Sequence, residues 1–154
     1  TPAKHPVGSI RPTKADLPTN EQERRKAAAF PYQQAIGHLT YLWSVLHPEI
    51  TFPLKVASAF AADHGQPMIN WVQHIMRYLK GVKSHTCKIH GKKPGDKLSL
   101  WTDSDHARCP DSRRSISGAI TMLGRDVLDY SASFQNSTAL NTSEAEIMSA
   151  ADGC

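Results

Sequence analysis

The stretch that decides the fold is Leu98-Ser99-Leu100-Trp101-Thr102-Asp103-Ser104-Asp105. Its apolar residues alternate with small polar ones, which is typical of a β-strand on a sheet, and its last residues are carboxylates. About forty residues later comes Ser143-Glu144-Ala145-Glu146, where Thr142 or Ser143 is suited to cap a helix that begins at Glu144. A helix packed on the sheet would bring Glu144 close to the acidic end of the strand. The two segments therefore predict half of an acid cluster for divalent metal ions, since each hard cation needs several oxygen ligands.

Composition restricts the class of protein. The 154 residues are 40% hydrophobic, enough for one or two compact units. A net charge of +4 and a pI near 9.1 favour a polyanionic partner, although a modest positive charge is also common in proteins that bind no polyanion. Three cysteines without a CxxC spacing indicate free thiols rather than a disulfide framework or structural zinc site. No segment resembles a signal peptide or a membrane span, so we expect an intracellular protein of the cytoplasm or nucleus. The first residue is not Met, which suggests a piece of a longer chain, although processing can also remove an initiator Met.

The first half of the chain divides into an arm and a helical region. Residues 1–29 contain four prolines among charged residues and sustain neither a helical nor a strand period, which indicates an arm or linker. Residues 30–84 contain three segments whose apolar residues recur at helical spacing, and Gly81 is expected to end the last of them. We therefore predict a small bundle of three helices, which begin near Pro31, Pro53 and Pro67.

In residues 85–154 the period changes to that of strands. Residues 86–90 and 97–101 alternate as strands do, with turn residues between them. Residues 118–123 and 127–132 predict a hairpin joined at Gly124-Arg125-Asp126. The fold class that we expect is α+β, with a three-helix subdomain followed by an antiparallel sheet that carries one packed helix.

Six motifs of this sequence, in this order, resemble one known family. They are residues 32–42, His47-Pro48-Glu49-Ile50, Arg77-Tyr78-Leu79-Lys80-Gly81, Asp103-Ser104-Asp105, residues 111–118 and Ser143-Glu144-Ala145-Glu146. Together they resemble the end of the reverse transcriptase and the start of the ribonuclease H domain in polyproteins of copia-type LTR retrotransposons. The similarity covers nearly the whole chain. It implies that residues 30–84 are the helical connection subdomain and that residues 85–154 are a partial ribonuclease H-like domain.

The resemblance also implies a chemistry, which is cleavage of the RNA strand of an RNA/DNA hybrid by two Mg²⁺ or Mn²⁺ ions. It makes Asp103 and Glu144 metal ligands and catalytic residues. Asp105 is a further candidate ligand, although Asp105 and Glu146 are also readily interpreted as solvated surface acids. The partner that this implies is RNA/DNA hybrid or RNA.

The sequence departs from the family where activity is concerned. The family continues into further strands and another catalytic Asp, and it usually has a pair of lysines where this chain has residues 130–134. Pro53 replaces an ordinary helix former, which we expect to shorten or kink the second helix. We therefore expect a nuclease that is weak or inactive; the alternative is a non-catalytic nucleic-acid-binding or scaffold remnant. An open sheet edge predicts a homodimer or a partner chain.

Basic residues supply the candidate nucleic-acid contacts. Arg113 and Arg114 are expected to grip phosphates, and the alternative is a solvated pair that salt-bridges Asp111. One basic stretch is predicted to follow a nucleic-acid backbone, and its alternative interpretation is a solvated face; it comprises Lys80, Lys83, Lys88, Lys92 and Lys93. The three tryptophans are assigned to the core or a subdomain interface rather than to base stacking; they are Trp43, Trp71 and Trp101.

Overall fold

The chain forms two compact units, Thr1–Thr86 and Cys87–Cys154. The structure is a computed structural model and describes residues 2–84, 88–105 and 114–153. Within those residues it contains five α-helices and one three-stranded antiparallel sheet, so the predicted α+β class is confirmed. None of the helices in these ranges is long and apolar enough to cross a membrane.

The first unit contains four of the helices. They are α1 (Glu21–Ala28), α2 (Tyr32–Val45), α3 (Thr51–Ser58) and α4 (Gln66–Val82). Residues 1–29, predicted as an arm or linker, contain α1. Asn20 caps this helix, and its side chain accepts a hydrogen bond from the Glu23 N–H at 2.8 Å. Ala27 is the one residue of α1 that is buried, so the helix has almost no apolar period to reveal it.

Helix α4 supplies the centre of the first core. Met68, Val72 and Ile75 are fully buried on one face, as their helical spacing predicts. Trp71 is buried beside them, and its indole N–H donates to the Pro53 carbonyl at 2.9 Å, which confirms its assignment to the core.

Two expectations about helix ends are wrong. Helix α3 begins at Thr51, so Pro53 lies in its first turn, where the missing N–H has no helical partner to lose and the helix is not shortened. Gly81 does not stop α4, which continues to Val82. A built Cβ on Gly81 would lie 2.9 Å from the Pro2 side chain, so a close approach of the N-terminal segment explains this glycine.

The second unit contains the sheet. Its strands are β1 (Leu98–Asp105), β2 (Ile116–Leu123) and β3 (Asp126–Phe134), in the order β1-β2-β3. The predicted hairpin is confirmed, with Gly124 and Arg125 as the turn and Gly124 at a φ of +60°. The predicted strand at residues 86–90 is not formed at 88–90, and its first two residues lie outside the described ranges.

Helix α5 (Thr142–Gly153) packs on β1 and β2. Its cap is Asn141, whose side chain accepts from the Glu144 N–H at 2.9 Å, rather than the predicted Thr142 or Ser143. The buried Ser149 hydroxyl donates to the Asp103 carbonyl at 2.7 Å. Gln135, 1% exposed, donates to the Ala145 carbonyl at 2.8 Å. These two hydrogen bonds therefore fix α5 in place at Ser149 and at Ala145.

Candidate nucleic-acid interface

The candidate metal ligands on β1 face away from α5. A Cβ built on Gly153 would lie 2.9 Å from the Thr102 methyl group, so Thr102 points towards the helix. Side chains of a strand alternate between the two faces of the sheet, so Asp103 and Asp105 point to the other face. The Asp103 side chain is exposed there.

Glu144 occupies the first turn of α5, where it has a structural role. Its carboxylate accepts a hydrogen bond at 2.6 Å from the N–H of Leu140, the residue before the Asn141 cap, so Glu144 reinforces the cap of its own helix. The residue of α5 that contacts Asp103 is Ser149, about 7.5 Å further along the helix axis. The described contacts therefore join Asp103 to the middle of α5 and do not join it to Glu144.

These carboxylates do not by themselves meet the needs of Mg²⁺ or Mn²⁺. Among residues 2–84, 88–105 and 114–153, no three His, Cys, Asp or Glu side chains are grouped so that they could hold a metal ion. A divalent cation of this kind needs several oxygen ligands at close range. The assignment of Asp103, Glu144 and Asp105 as ligands stays a prediction.

The predicted nucleic-acid residues of the second unit lie at two ends of the sheet. Lys88, Lys92 and Lys93 are exposed and belong to the segment that packs at the hairpin turn, whereas Arg114 is exposed just before β2. The eight residues of β2 separate the two ends by about 25 Å. Arg113 lies outside the described residues.

The carboxylate of Asp126 fixes the lysine-bearing segment to the sheet. Asp126 is 9% exposed and begins β3, immediately after the hairpin turn. It accepts hydrogen bonds from the His90 N–H at 2.9 and 3.0 Å, from the Gly91 N–H at 2.8 Å and from the His90 ring Nδ1 at 2.8 Å. The backbone hydrogen bond from His90, followed by the bond from its ring, lowers the pKa of Asp126, and burial opposes this shift. We call this arrangement the Asp126 clasp.

A second set of contacts closes the same segment. The Lys93 N–H donates to the Asp96 carboxylate at 2.6 Å, and the Asp96 N–H donates back to the Lys93 carbonyl at 3.1 Å. The Gly124 N–H donates to the Lys97 carbonyl at 3.0 Å, which joins the segment to the hairpin turn. The exposed cations that this arrangement gathers at the turn form what we call the basic hairpin surface: Lys88, Lys92, Lys93, Lys97 and Arg125.

Sequence reasoning found three of the five cations of this surface and missed the carboxylate that holds their segment in place. It assigns Asp126 only to the turn, and it does not include Lys97 and Arg125 among the candidates. An acidic residue directly after a hairpin turn is a usable signal, because its carboxylate can accept hydrogen bonds from the backbone N–H groups of a segment that packs against the turn. Its partners His90 and Gly91 lie 36 and 35 residues earlier and could not be inferred from the spacing.

Comparisons with known proteins place the chain among homologues of retrotransposon proteins. No family model matches it, and no solved structure matches it.

A retrovirus-related Pol polyprotein from transposon TNT 1-94 of Nicotiana tabacum is 30% identical over 146 residues, 95% of this chain and 11% of the polyprotein. A secreted RxLR effector protein of Plasmopara viticola is 29% identical over 77% of this chain and 82% of the effector. A putative transposon Ty5-1 protein of Saccharomyces cerevisiae is 26% identical over 79% of this chain and 40% of that protein. The chain thus spans about a tenth of the tobacco polyprotein.

The clasp predicts an acid-sensitive second unit. The pKa of Asp126 is lower in the folded chain than its ordinary value of about 3.9, so its stabilisation is complete above that value and is lost as pH falls through the lowered pKa. In Asp126→Asn the free energy of unfolding should fall at neutral pH and depend less on pH below about 4. Denaturant unfolding at a series of pH values measures this. If the free energy of unfolding fell equally in both proteins as the pH dropped below about 4, the prediction would be contradicted.

Proposed function

We propose that the chain is a retroelement-derived ribonuclease H-type domain that binds RNA or RNA/DNA hybrid through the basic hairpin surface. The observation that carries this proposal is the Asp126 clasp, which holds a lysine-bearing segment in a fixed position beside Arg125. The relatives support the retroelement origin and not the ribonuclease H assignment, because they are retrotransposon proteins whose names do not specify this region.

The charges of this surface suit a phosphate backbone. Five exposed cations stand near two carboxylates, Asp96 and Asp126, and both carboxylates already accept backbone hydrogen bonds. These carboxylates keep their negative charge, but the five cations outnumber them, so the surface has a net positive charge. Cations held in this way bind phosphates and release counterions, which gives affinity that depends strongly on salt and little on base sequence.

Removal of two cations should weaken binding in a defined way. We expect Lys92→Ala with Lys93→Ala to lower the affinity for an RNA/DNA hybrid and to reduce the slope of log affinity against log salt by about 2, because each lysine neutralises about one phosphate. Fluorescence anisotropy across a salt series measures both quantities.

The matched control removes the same charge from the first unit. Lys26 and Lys55 are exposed lysines on α1 and α3, so Lys26→Ala with Lys55→Ala should leave the slope unchanged. An equal fall in slope for both double variants would show diffuse attraction to net charge and would contradict a surface at the hairpin.

Metal-dependent cleavage of the RNA strand is the second candidate function. One observation favours it, which is the hydrogen bond from Ser149 that holds α5 at Asp103. The residues proposed for the chemistry are Asp103 and Glu144, with Asp105 as a further ligand of Mg²⁺ or Mn²⁺. Against it, Asp103 points away from α5 and Glu144 caps that helix. The structure therefore supports binding better than cleavage.

Cleavage of an end-labelled RNA/DNA hybrid tests the second candidate. We expect no metal-dependent cutting above background by the wild-type chain, because its described carboxylates are not gathered for a metal ion. Cutting that is lost in Glu144→Gln would overturn this expectation. Gln is the suitable substitution because it keeps an acceptor for the Leu140 N–H and so preserves the helix cap.

A further inference from the structure

The histidine of the Asp126 clasp is oriented for proton transfer. The His90 ring Nδ1 lies 2.8 Å from the Asp126 carboxylate, and the His90 backbone N–H donates to the two oxygens of that carboxylate at 2.9 and 3.0 Å. Asp126 has a lowered pKa and is ionised at neutral pH, and an ionised carboxylate can only accept hydrogen bonds. The proton of the neutral imidazole is therefore on Nδ1, which leaves a lone pair on Nε2.

The other nitrogen of this ring is open to a ligand. The His90 side chain is 45% exposed, and its Nε2 has no partner among the residues that the structure describes. Gly91 follows with a φ of +73°, so the chain turns directly after His90. A Cβ built on Gly91 would meet no described atom within 4 Å, so the space beside this turn is open. A substrate can therefore approach Nε2 from solvent.

The same segment places positive charge on both sides of the ring in the sequence. Lys88 comes two residues before His90, and Lys92 and Lys93 come two and three residues after it; all three lysines are exposed. A phosphodiester under attack by a fifth oxygen carries more negative charge than it does at rest. Ammonium groups at this surface therefore stabilise the transition state of such an attack more than the bound substrate.

We propose that His90 is the general base of a metal-independent cleavage of single-stranded RNA at the basic hairpin surface. Its Nε2 takes the proton of a 2′-hydroxyl, the 2′-oxygen forms a bond to the adjacent phosphorus, and the bond from phosphorus to the 5′-oxygen breaks. Water returns the proton to the leaving 5′-oxygen, so the products are a 2′,3′-cyclic phosphate and a 5′-hydroxyl. Asp126 is a positioning residue, because it holds the ring and stabilises the imidazolium that forms.

This chemistry selects the substrate. DNA lacks the attacking 2′-hydroxyl, so it is not cut. A paired strand holds the 2′-oxygen out of line with the leaving 5′-oxygen, whereas an unpaired strand can reach the in-line arrangement. The inference rests on the proposed function, because the basic hairpin surface must first bind RNA. It differs from the cleavage of an RNA/DNA hybrid considered above, because it needs neither a metal ion nor an acid cluster.

Incubation of the whole chain with end-labelled single-stranded RNA and a metal chelator tests the proposal. We expect cleavage that leaves 2′,3′-cyclic phosphate ends, and no cleavage of the DNA strand of the same sequence. His90→Asn should lower the rate by about 100-fold, because the general base is lost. Asn is the suitable substitution because its side-chain N–H can still donate to Asp126, which preserves the clasp.

The matched control is His38→Asn, which removes an exposed histidine of α2 and should leave the rate unchanged. Fluorescence anisotropy with the same RNA separates this proposal from the proposed function. If the wild-type chain bound RNA without cutting it, or if His90→Asn cut as fast as the wild type, the role of His90 would be overturned and the binding surface would stand. If the wild-type chain did not bind RNA, both would be overturned.

Steady-state kinetics separate the positioning role of Asp126 from its role in holding the segment. In Asp126→Asn we expect kcat to fall as well as KM to rise, because the imidazolium loses the charge that stabilises it. A variant with a raised KM and an unchanged kcat would show that Asp126 only holds the segment, and would overturn its part in the cleavage.

Discussion

The candidate interface depends on one buried carboxylate. Asp126 accepts hydrogen bonds from the backbone N–H groups of His90 and Gly91 and from the His90 ring. These bonds fix a segment that has no regular secondary structure of its own. A buried charge is stable only when donors surround it, so carboxylate and segment order each other. The lysines on either side of the clasp are thereby held at the hairpin turn rather than spread through solvent.

Much of the fold follows from local pattern. The alternation in Leu98–Asp105, the turn at Gly124 and the apolar spacing of α4 each predict an element that the structure contains. Helix α1 was not predicted because it buries only Ala27 and so shows no apolar period. Gly81 was wrongly predicted to end α4, because the glycine is explained by a packing contact with Pro2. Local signals therefore fail where tertiary contact decides the outcome.

The acid residues show where sequence reasoning about a site reaches its limit. A strand pattern tells which residues share a face, but which face the helix covers is decided by packing. The contact between Gly153 and Thr102 puts α5 on the face of the even-numbered residues, so Asp103 points away from it. The basic hairpin surface was found only in part, because its clasp joins residues far apart in the chain.

The most direct test of the account is the affinity of Asp126→Asn for an RNA/DNA hybrid at fixed salt. The substitution makes the chain more positive, so simple attraction to net charge predicts equal or tighter binding. The account predicts weaker binding, because the clasp loosens and the lysine segment is no longer held in place. Asp129→Asn, which makes the same change in charge at an exposed residue of β3, is the control and should bind at least as tightly as the wild type. Equal or tighter binding by Asp126→Asn would contradict the account.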